Sequence, residues 1–276
     1  MTTNPEIGAT VLAAGIRTNV HDTGFDPGGG TVLLIHGSGP GVSAWANWRL
    51  TIPALTPHFR VVAPDIVGFG YTERPIDAYD LDTWTLHVTG VLDALGIDQA
   101  HVVGNSFGGS LALSLAIRHP ERVRRLGLMG AVGLDFPITP GLDAVWGYEP
   151  SVEAMAELLR VFTATPAPGL EDLARLRFEA SIRPGVHEAY AQMFPAPRQR
   201  WVTALSHDES LVSSIGAPTL IFHGREDRVI PLATSLRLFE LIADAQLHVF
   251  GNCGHWTQIE HAAEFNRLLR DFLLGT

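Results

Sequence analysis

Apolar positions along this chain fall into two patterns, short unbroken runs and longer stretches with helical spacing. Largely apolar runs at residues 31–35, 60–63, 101–103, 125–129 and 218–223 read as buried strands bounded by turn-forming residues, and 246–250 reads as the last strand. Between them, residues 45–55, 82–95, 110–118, 232–243 and 260–274 read as helices. In the second of these Leu81, Trp84, Val88, Leu92 and Leu95 lay down one apolar stripe. The stretch up to His21 reads as a strand pair, followed by a turn at Asp26-Pro27-Gly28-Gly29-Gly30. Short strands that are apolar throughout and alternate with helices imply a mostly parallel sheet with helices on both faces, an α/β fold.

The texture changes after Asp135. Pro137, Pro140, Pro150, Pro166, Pro168, Pro184, Pro195 and Pro197 punctuate amphipathic pieces at 152–162, 170–181, 185–193 and 197–205, and no strand-like run appears before Pro218. Residues 137–207 are therefore expected to form an inserted helical lid. Residues 1–136 and 208–276 are expected to form the sheet domain.

The most informative stretch is Val102-Val103-Gly104-Asn105-Ser106-Phe107-Gly108-Gly109. It joins a strand to a helix and carries G-x-S-x-G. In such a turn the serine hydroxyl projects and the next N–H points into the same space. A Cβ at either glycine would strike neighbouring backbone. The pentapeptide alone is a weak signal; between a buried strand and a helix it marks a nucleophile elbow. Strand 31–35 ends in a second glycine-rich loop, His36-Gly37-Ser38-Gly39-Pro40-Gly41. A phosphate cradle would call for G-x-G-x-x-G or Gly-Lys-Ser/Thr, and neither occurs there. The loop is better read as half of an oxyanion hole, completed by the N–H of Phe107.

A serine hydroxyl needs a base, and the base needs an orienting carboxylate. The segment His223-Gly224-Arg225-Glu226-Asp227-Arg228-Val229-Ile230-Pro231 offers Glu226 and Asp227. Asp227 is preferred because it sits where the loop turns back toward Pro231. Among twelve histidines, only His255, in Gly251-Asn252-Cys253-Gly254-His255-Trp256, lies in a glycine-flanked loop after the last strand. His36 and His223 precede glycine turns and are read as partners of backbone groups. Cys253 and His255 lack a third ligand at recognisable spacing, so no metal is expected.

Composition narrows the classes. A net charge of −10 argues against nucleic acid and against an anionic membrane surface. The chain has no lysine, which excludes Schiff-base and pyridoxal-phosphate chemistry, and no cofactor is expected. A single cysteine forbids an intrachain disulfide. No apolar run approaches a membrane span, and Met1-Thr2-Thr3-Asn4-Pro5-Glu6 shows no leader pattern. These features suit a cytoplasmic protein with a small-molecule substrate and neither nucleic-acid nor membrane partner. A non-catalytic ligand-binding module on the same scaffold would be expected to show an incomplete triad or a degraded loop; all the parts are present.

Over essentially its whole length the chain resembles the meta-cleavage product hydrolase family of the α/β-hydrolase fold. The resemblance rests on His36-Gly37-Ser38-Gly39-Pro40-Gly41-Val42-Ser43-Ala44-Trp45-Ala46-Asn47, the elbow, Gly224 to Pro231, and Cys253-Gly254-His255-Trp256. Ser106 also separates it from relatives of this fold with an elbow aspartate. The resemblance implies a triad of Ser106, Asp227 and His255, with the oxyanion hole formed by the backbone N–H groups of Ser38 and Phe107. It implies Gly39, Asn47, Asn105 and Trp256 around the polar end of the substrate, and Arg177 on its carboxylate and 2-oxo group. A planar guanidinium suits such a bidentate anion. The implied activity is hydrolysis of the C5–C6 bond of 2-hydroxy-6-oxohexa-2,4-dienoates, closest to the 2-hydroxymuconate-semialdehyde branch. The alternatives are a 6-phenyl dienoate hydrolase and a general serine carboxylesterase. Val132, Leu142, Trp146, Val202 and Ile230 are candidates for the pocket around the C6 substituent. A homo-oligomer is expected from the resemblance.

Overall fold

The computed structural model describes residues 4–75, 79–165 and 169–276. Residues 1–3, and Pro166 and Pro168 of the inserted segment, lie outside them. The apolar runs form eight strands: β1 (Ala9–Ala13), β2 (Ile16–Asp22), β3 (Thr31–Ile35), β4 (Arg60–Pro64), β5 (Ala100–Asn105), β6 (Val123–Met129), β7 (Thr219–Gly224) and β8 (Ala245–Phe250). They make one sheet in the order β1-β2-β4-β3-β5-β6-β7-β8. β3 to β8 run parallel, whereas β2 is antiparallel to β4 and β1 to β2.

Residues alternate between the two faces of a strand, and in β3, β4, β5, β6 and β7 both faces are apolar. Leu33, Ile35, Val102, Leu126 and Leu128 join one core cluster with helices α3 (Leu81–Ala94) and α4 (Phe107–Arg118). Val32, Leu34, Val103, Met129 and Phe222 join another, with Trp48, Phe265 and Leu269. Each fully buried side chain of this kind is worth about 1.5–3 kcal/mol, so the alternation commits the sheet to cover on both sides.

The register places the site. Ile35 pairs with Gly104, Gly104 with Leu128, and Leu128 with Ile221. The carboxyl ends of β3, β5, β6 and β7 therefore open side by side. The chain passes from β3 to β4 on one flank and returns to β5 on the other, and a crevice forms at such a switch point.

Two expected helices are each divided. Residues 45–55 form α1 (Ala44–Trp48) and α2 (Ile52–Leu55). Pro53 can sit only in the first turn of a helix, so a new one begins just before it. Residues 232–243 form α11 (Leu232–Leu241), and residues 260–274 divide into α12 (Thr257–Glu260) and α13 (Ala262–Leu274) at His261, whose backbone (φ −123, ψ 39) is not helical. Between β6 and β7, with no strand among the described residues, lie α5 (Pro140–Trp146), α6 (Val152–Phe162), α7 (Leu170–Ser181), α8 (Val186–Met193), α9 (Gln199–Ala204) and α10 (Glu209–Ser213). α5 and α10 were not expected. The hydroxyl of Thr139 caps α5 by accepting from Leu142 N at 3.0 Å, and Pro140 opens it. The proline read as an interruption is a helix start. Among the described residues no helix is long and apolar enough to cross a membrane.

Candidate active site

Ser106 stands between β5 and α4 with φ 54 and ψ −116, a backbone conformation that costs a non-glycine residue energy. The turn is pinned on both sides: Ser106 N donates to Met129 O at 2.9 Å, and its carbonyl accepts from Val132 N at 2.9 Å. A Cβ on Gly104 would lie 2.2 Å from Gly108 O, and one on Gly108 would lie 2.5 Å from Ile35 O. Both glycines of the elbow are thus required by close backbone approach.

Asp227, on the loop after β7, accepts at Oδ1 from Val229 N (2.7 Å) and Ile230 N (3.0 Å). Its Oδ2 lies 2.7 Å from His255 Nδ1. Burial would raise this carboxyl, but His255 and the amides outweigh it and hold it below the usual carboxylate range. An ionised Asp227 keeps the proton on Nδ1 and leaves Nε2 of His255 as the basic nitrogen. His255 is itself fixed by donation from its N to Phe162 O at 2.7 Å, and its ring stacks on Phe162 at 5.9 Å.

His36 and His223 are backbone partners. Ile66 N donates to Nε2 of His36 at 2.9 Å, Nδ1 of His36 donates to Gly37 O at 2.7 Å, and burial lowers this histidine to about 4. It is a neutral strut for the loop. His223 donates from Nε2 to Ile230 O at 3.0 Å. The loop is also tied to the inserted helices, because the single hydroxyl proton of Tyr190 is shared between the carbonyls of Ser38 (2.9 Å) and Val145 (2.7 Å).

Ser106 and His255 line one cavity of about 410 Å³, together with Gly37, Ser38, Gly39, Asn47, Asn105, Arg177 and Trp256. Phe107 is the first residue of α4, and its N–H has no partner within the helix. Asn47 Nδ2 donates to Asn105 Oδ1 at 3.1 Å. Arg177 is not a solvated helix arginine: its side chain is 11% exposed and pairs with Glu6.

The family model described as the alpha/beta hydrolase fold matches residues 30–262. The chain is 61% identical over 271 residues, 98% of its length and 95% of the relative's, to a 2-hydroxymuconate semialdehyde hydrolase of Pseudomonas sp. (strain CF600). It is 58% identical, over 98% of its length and 97% of the relative's, to a 2-hydroxy-6-oxo-2,4-heptadienoate hydrolase of a Pseudomonas putida strain. Its structure superposes with a TM-score of 0.95 on a meta-cleavage product hydrolase of Pseudomonas fluorescens IP01 (CumD), a serine-to-alanine variant complexed with acetates, at 57% identity and 98% coverage of both chains. This chain belongs to the meta-cleavage product hydrolases of the α/β-hydrolase fold.

In this meta-cleavage product hydrolase the cavity wall holds buried polar atoms without partners: Asn47 Oδ1, Gln258 Oε1 and Arg177 Nε. Of the five substituent-pocket candidates only Leu142 lines the cavity. Val132, Trp146, Val202 and Ile230 are buried in the core cluster and do not line it. The apolar wall includes Leu142, Val145, Met155, Leu159, Phe162 and Val229. Val229 lines the cavity where its neighbour Ile230, packed in the core cluster, does not. Glu6, Arg49 and Gln258 also line the cavity and were missed. No motif marks them. Helical spacing could have revealed Met155, Leu159 and Phe162, which share one face of α6.

Proposed function

We propose that this hydrolase cleaves the C5–C6 bond of 2-hydroxymuconate semialdehyde and its small 6-alkyl analogues, giving 2-hydroxypenta-2,4-dienoate and a carboxylic acid. The observation that carries this reading is a single cavity with Ser106 and His255 in one wall and Arg177, Asn47 and apolar side chains in the rest.

Arg177 holds the carboxylate and 2-oxo group, with Asn47, Asn105, Gly39 and Trp256 around that end. The dienol first becomes a ketone by gaining a proton at C5, so that C5 can later leave as a stabilised dienolate. His255, oriented by Asp227, takes the proton of Ser106 as its oxygen attacks the C6 carbonyl. The resulting oxyanion is met by the N–H groups of Ser38 and Phe107. Cleavage leaves C6 as an acyl group on Ser106, and water hydrolyses it. Residues 137–207 act as a lid over the core of 1–136 and 208–276, excluding bulk water from the attack. A homo-oligomer is inferred from the resemblance, and a cytoplasmic location from the sequence features above.

The test uses purified protein and ring-fission products with hydrogen, methyl, isopropyl or phenyl at C6, followed by loss of the yellow dienolate absorbance. Rapid decay of the small-substituent compounds, abolished in Ser106→Ala, is the expected result. Faster decay of the phenyl compound would shift the assignment to the 6-phenyl class. Flat traces with turnover of a simple ester would leave a carboxylesterase. Mass spectrometry of a rapidly quenched reaction should find an acyl group on Ser106; its absence throughout turnover would favour direct attack by water.

A further inference from the structure

Glu6 belongs to the anion end of the cavity, and no step above uses it. Its side chain is 13% exposed, and Oε1 lies 3.1 Å from Arg177 Nη2. Oε2 accepts from the hydroxyl of Ser43 at 2.9 Å. The main-chain carbonyl of Glu6 accepts from Asn19 Nδ2 at 2.9 Å and is 3.2 Å from His21 Nε2, which ties the N-terminal segment to β2. Ser43 is the N-cap of α1, the helix that carries Asn47 and is followed by Arg49. One carboxylate therefore joins the N-terminal segment, the start of α1 and α7.

A second cation shares this wall. Arg49 lines the cavity and donates from Nη1 to Ala46 O at 2.6 Å. Burial and then the charge of Arg177 lower its affinity for its proton, while Glu6 acts in the opposite sense. Asp65 lies behind the wall with its carboxylate engaged by Ala44 N, Asn19 Nδ2 and Tyr71 N. Two guanidiniums and one carboxylate leave the wall itself with one net positive charge.

We propose that Glu6 is a positioning and specificity residue, holding Arg177 at the cavity wall and cancelling one guanidinium charge, so that the anion end favours a substrate bearing one negative charge over two. This rests on the dienoate reading above. The enolate tautomer bears two charges, one on the carboxylate and one on the 2-oxygen. The ketone bears only the carboxylate: the enolate electron pair shifts along the diene to C5, which takes a proton from water. A wall with two uncancelled cations would bind the dianion most tightly and stabilise the state before ketonisation. Cancelling one charge shifts preference toward the ketone, the form that reacts, and binding that favours the later state raises turnover.

Glu6→Gln keeps the shape of the side chain and removes its charge; Glu6→Asp keeps the charge and loses one methylene of reach. Stopped-flow absorbance with 2-hydroxymuconate semialdehyde reads decay of the enolate band, and steady-state assays give kcat and KM. Glu6→Gln should slow enolate decay by about tenfold and lower both kcat and KM, with Glu6→Asp nearer to wild type. Glu6→Gln within twofold of wild type overturns the proposal, as does Glu6→Asp as slow as Glu6→Gln, which would indicate a scaffold only. Loss of a cooperative thermal melt in both variants would make Glu6 a stability residue and overturn it too. A wild-type enzyme inactive on every dienoate overturns the dienoate reading itself, an outcome distinct from active wild type with an indifferent Glu6→Gln.

Discussion

Trp146 Nε1, at the end of α5, donates to the hydroxyl of Ser38 at 2.9 Å across 108 residues of chain. Its indole also stacks on Phe194, with ring centroids 4.4 Å apart and planes within 7°. Trp146 was a sequence candidate for the substituent pocket; instead it braces the loop proposed to stabilise the oxyanion. Trp146→Phe should keep most of the stacking and lose the hydrogen bond. A fall in kcat/KM of about three- to tenfold is expected, with Tm lower by a few degrees. Steady-state kinetics beside a thermal melt would separate the two effects, and unchanged kcat/KM would deny Ser38 its braced role.

Asp227 accepts the proton-bearing Nδ1 of His255 at 2.7 Å and two backbone amides at Oδ1. In Asp227→Asn an amide that settles with its oxygen on those backbone donors would turn its NH2 toward His255. The ring would be driven into the tautomer whose Nε2 cannot accept a proton. A loss in kcat of about 10³–10⁴ is expected from a wrong tautomer. Single-turnover kinetics at neutral pH would measure it, and a loss below tenfold would remove Asp227 from the triad.

Ser106 carries its positive φ without being glycine. Ser106→Gly should relieve strain that Ser106→Ala retains, making the glycine variant more stable by about 1 kcal/mol although both are inactive. Urea unfolding of the two variants would compare them. Equal midpoints would mean the elbow stores no measurable strain.

Arg177 lines the cavity and is the planar cation proposed to hold the substrate's carboxylate. Arg177→Gln should raise KM for dienoates by about 100-fold while leaving hydrolysis of an uncharged ester such as p-nitrophenyl acetate within a fewfold. Equal losses on both substrates would mean that Arg177 supports the fold of the cavity rather than the substrate.

Stability should fall as pH drops from about 6.5 toward 4. Burial lowers His36, His87 and His101 to about 4 from an ordinary value of 6.5. Between those values the unfolded chain binds more protons than the folded one, so stability rises with pH and is lost on acidification. The fully buried His36 and His87 contribute on the order of 3 kcal/mol each. Asp65 works against them: burial raises it to about 6, so it favours the folded state below pH 4 and loses that contribution as pH rises to 6. Two large histidine contributions exceed one from a carboxyl. Melts across pH 4–8 should show Tm falling on the acid side, and a Tm that rises there would invert the balance.

The elbow, the parallel sheet and the order of Ser106, Asp227 and His255 are legible because their causes are local. Strands buried on both faces must be apolar throughout, and a serine at positive φ between a strand and a helix needs glycine two residues away on either side. Helix ends are legible where a cap is recognised. α5 was missed because Thr139-Pro140 was taken as a break, although Thr at the cap and Pro in the first turn begin a helix.

The amino-acid order by itself singled out the residues proposed to carry the chemistry, since the proposed nucleophile, acid and base each sit in a loop whose conformation their immediate neighbours dictate. Tertiary structure alone decided what surrounds them. Glu6 meets Arg177 across 171 residues, and Trp146 meets Ser38 across 108. Val229 rather than Ile230 lines the cavity, in a loop whose two amides are both pinned to Asp227. Such contacts leave no periodicity along the chain, because each is set by how the inserted helices settle on the sheet.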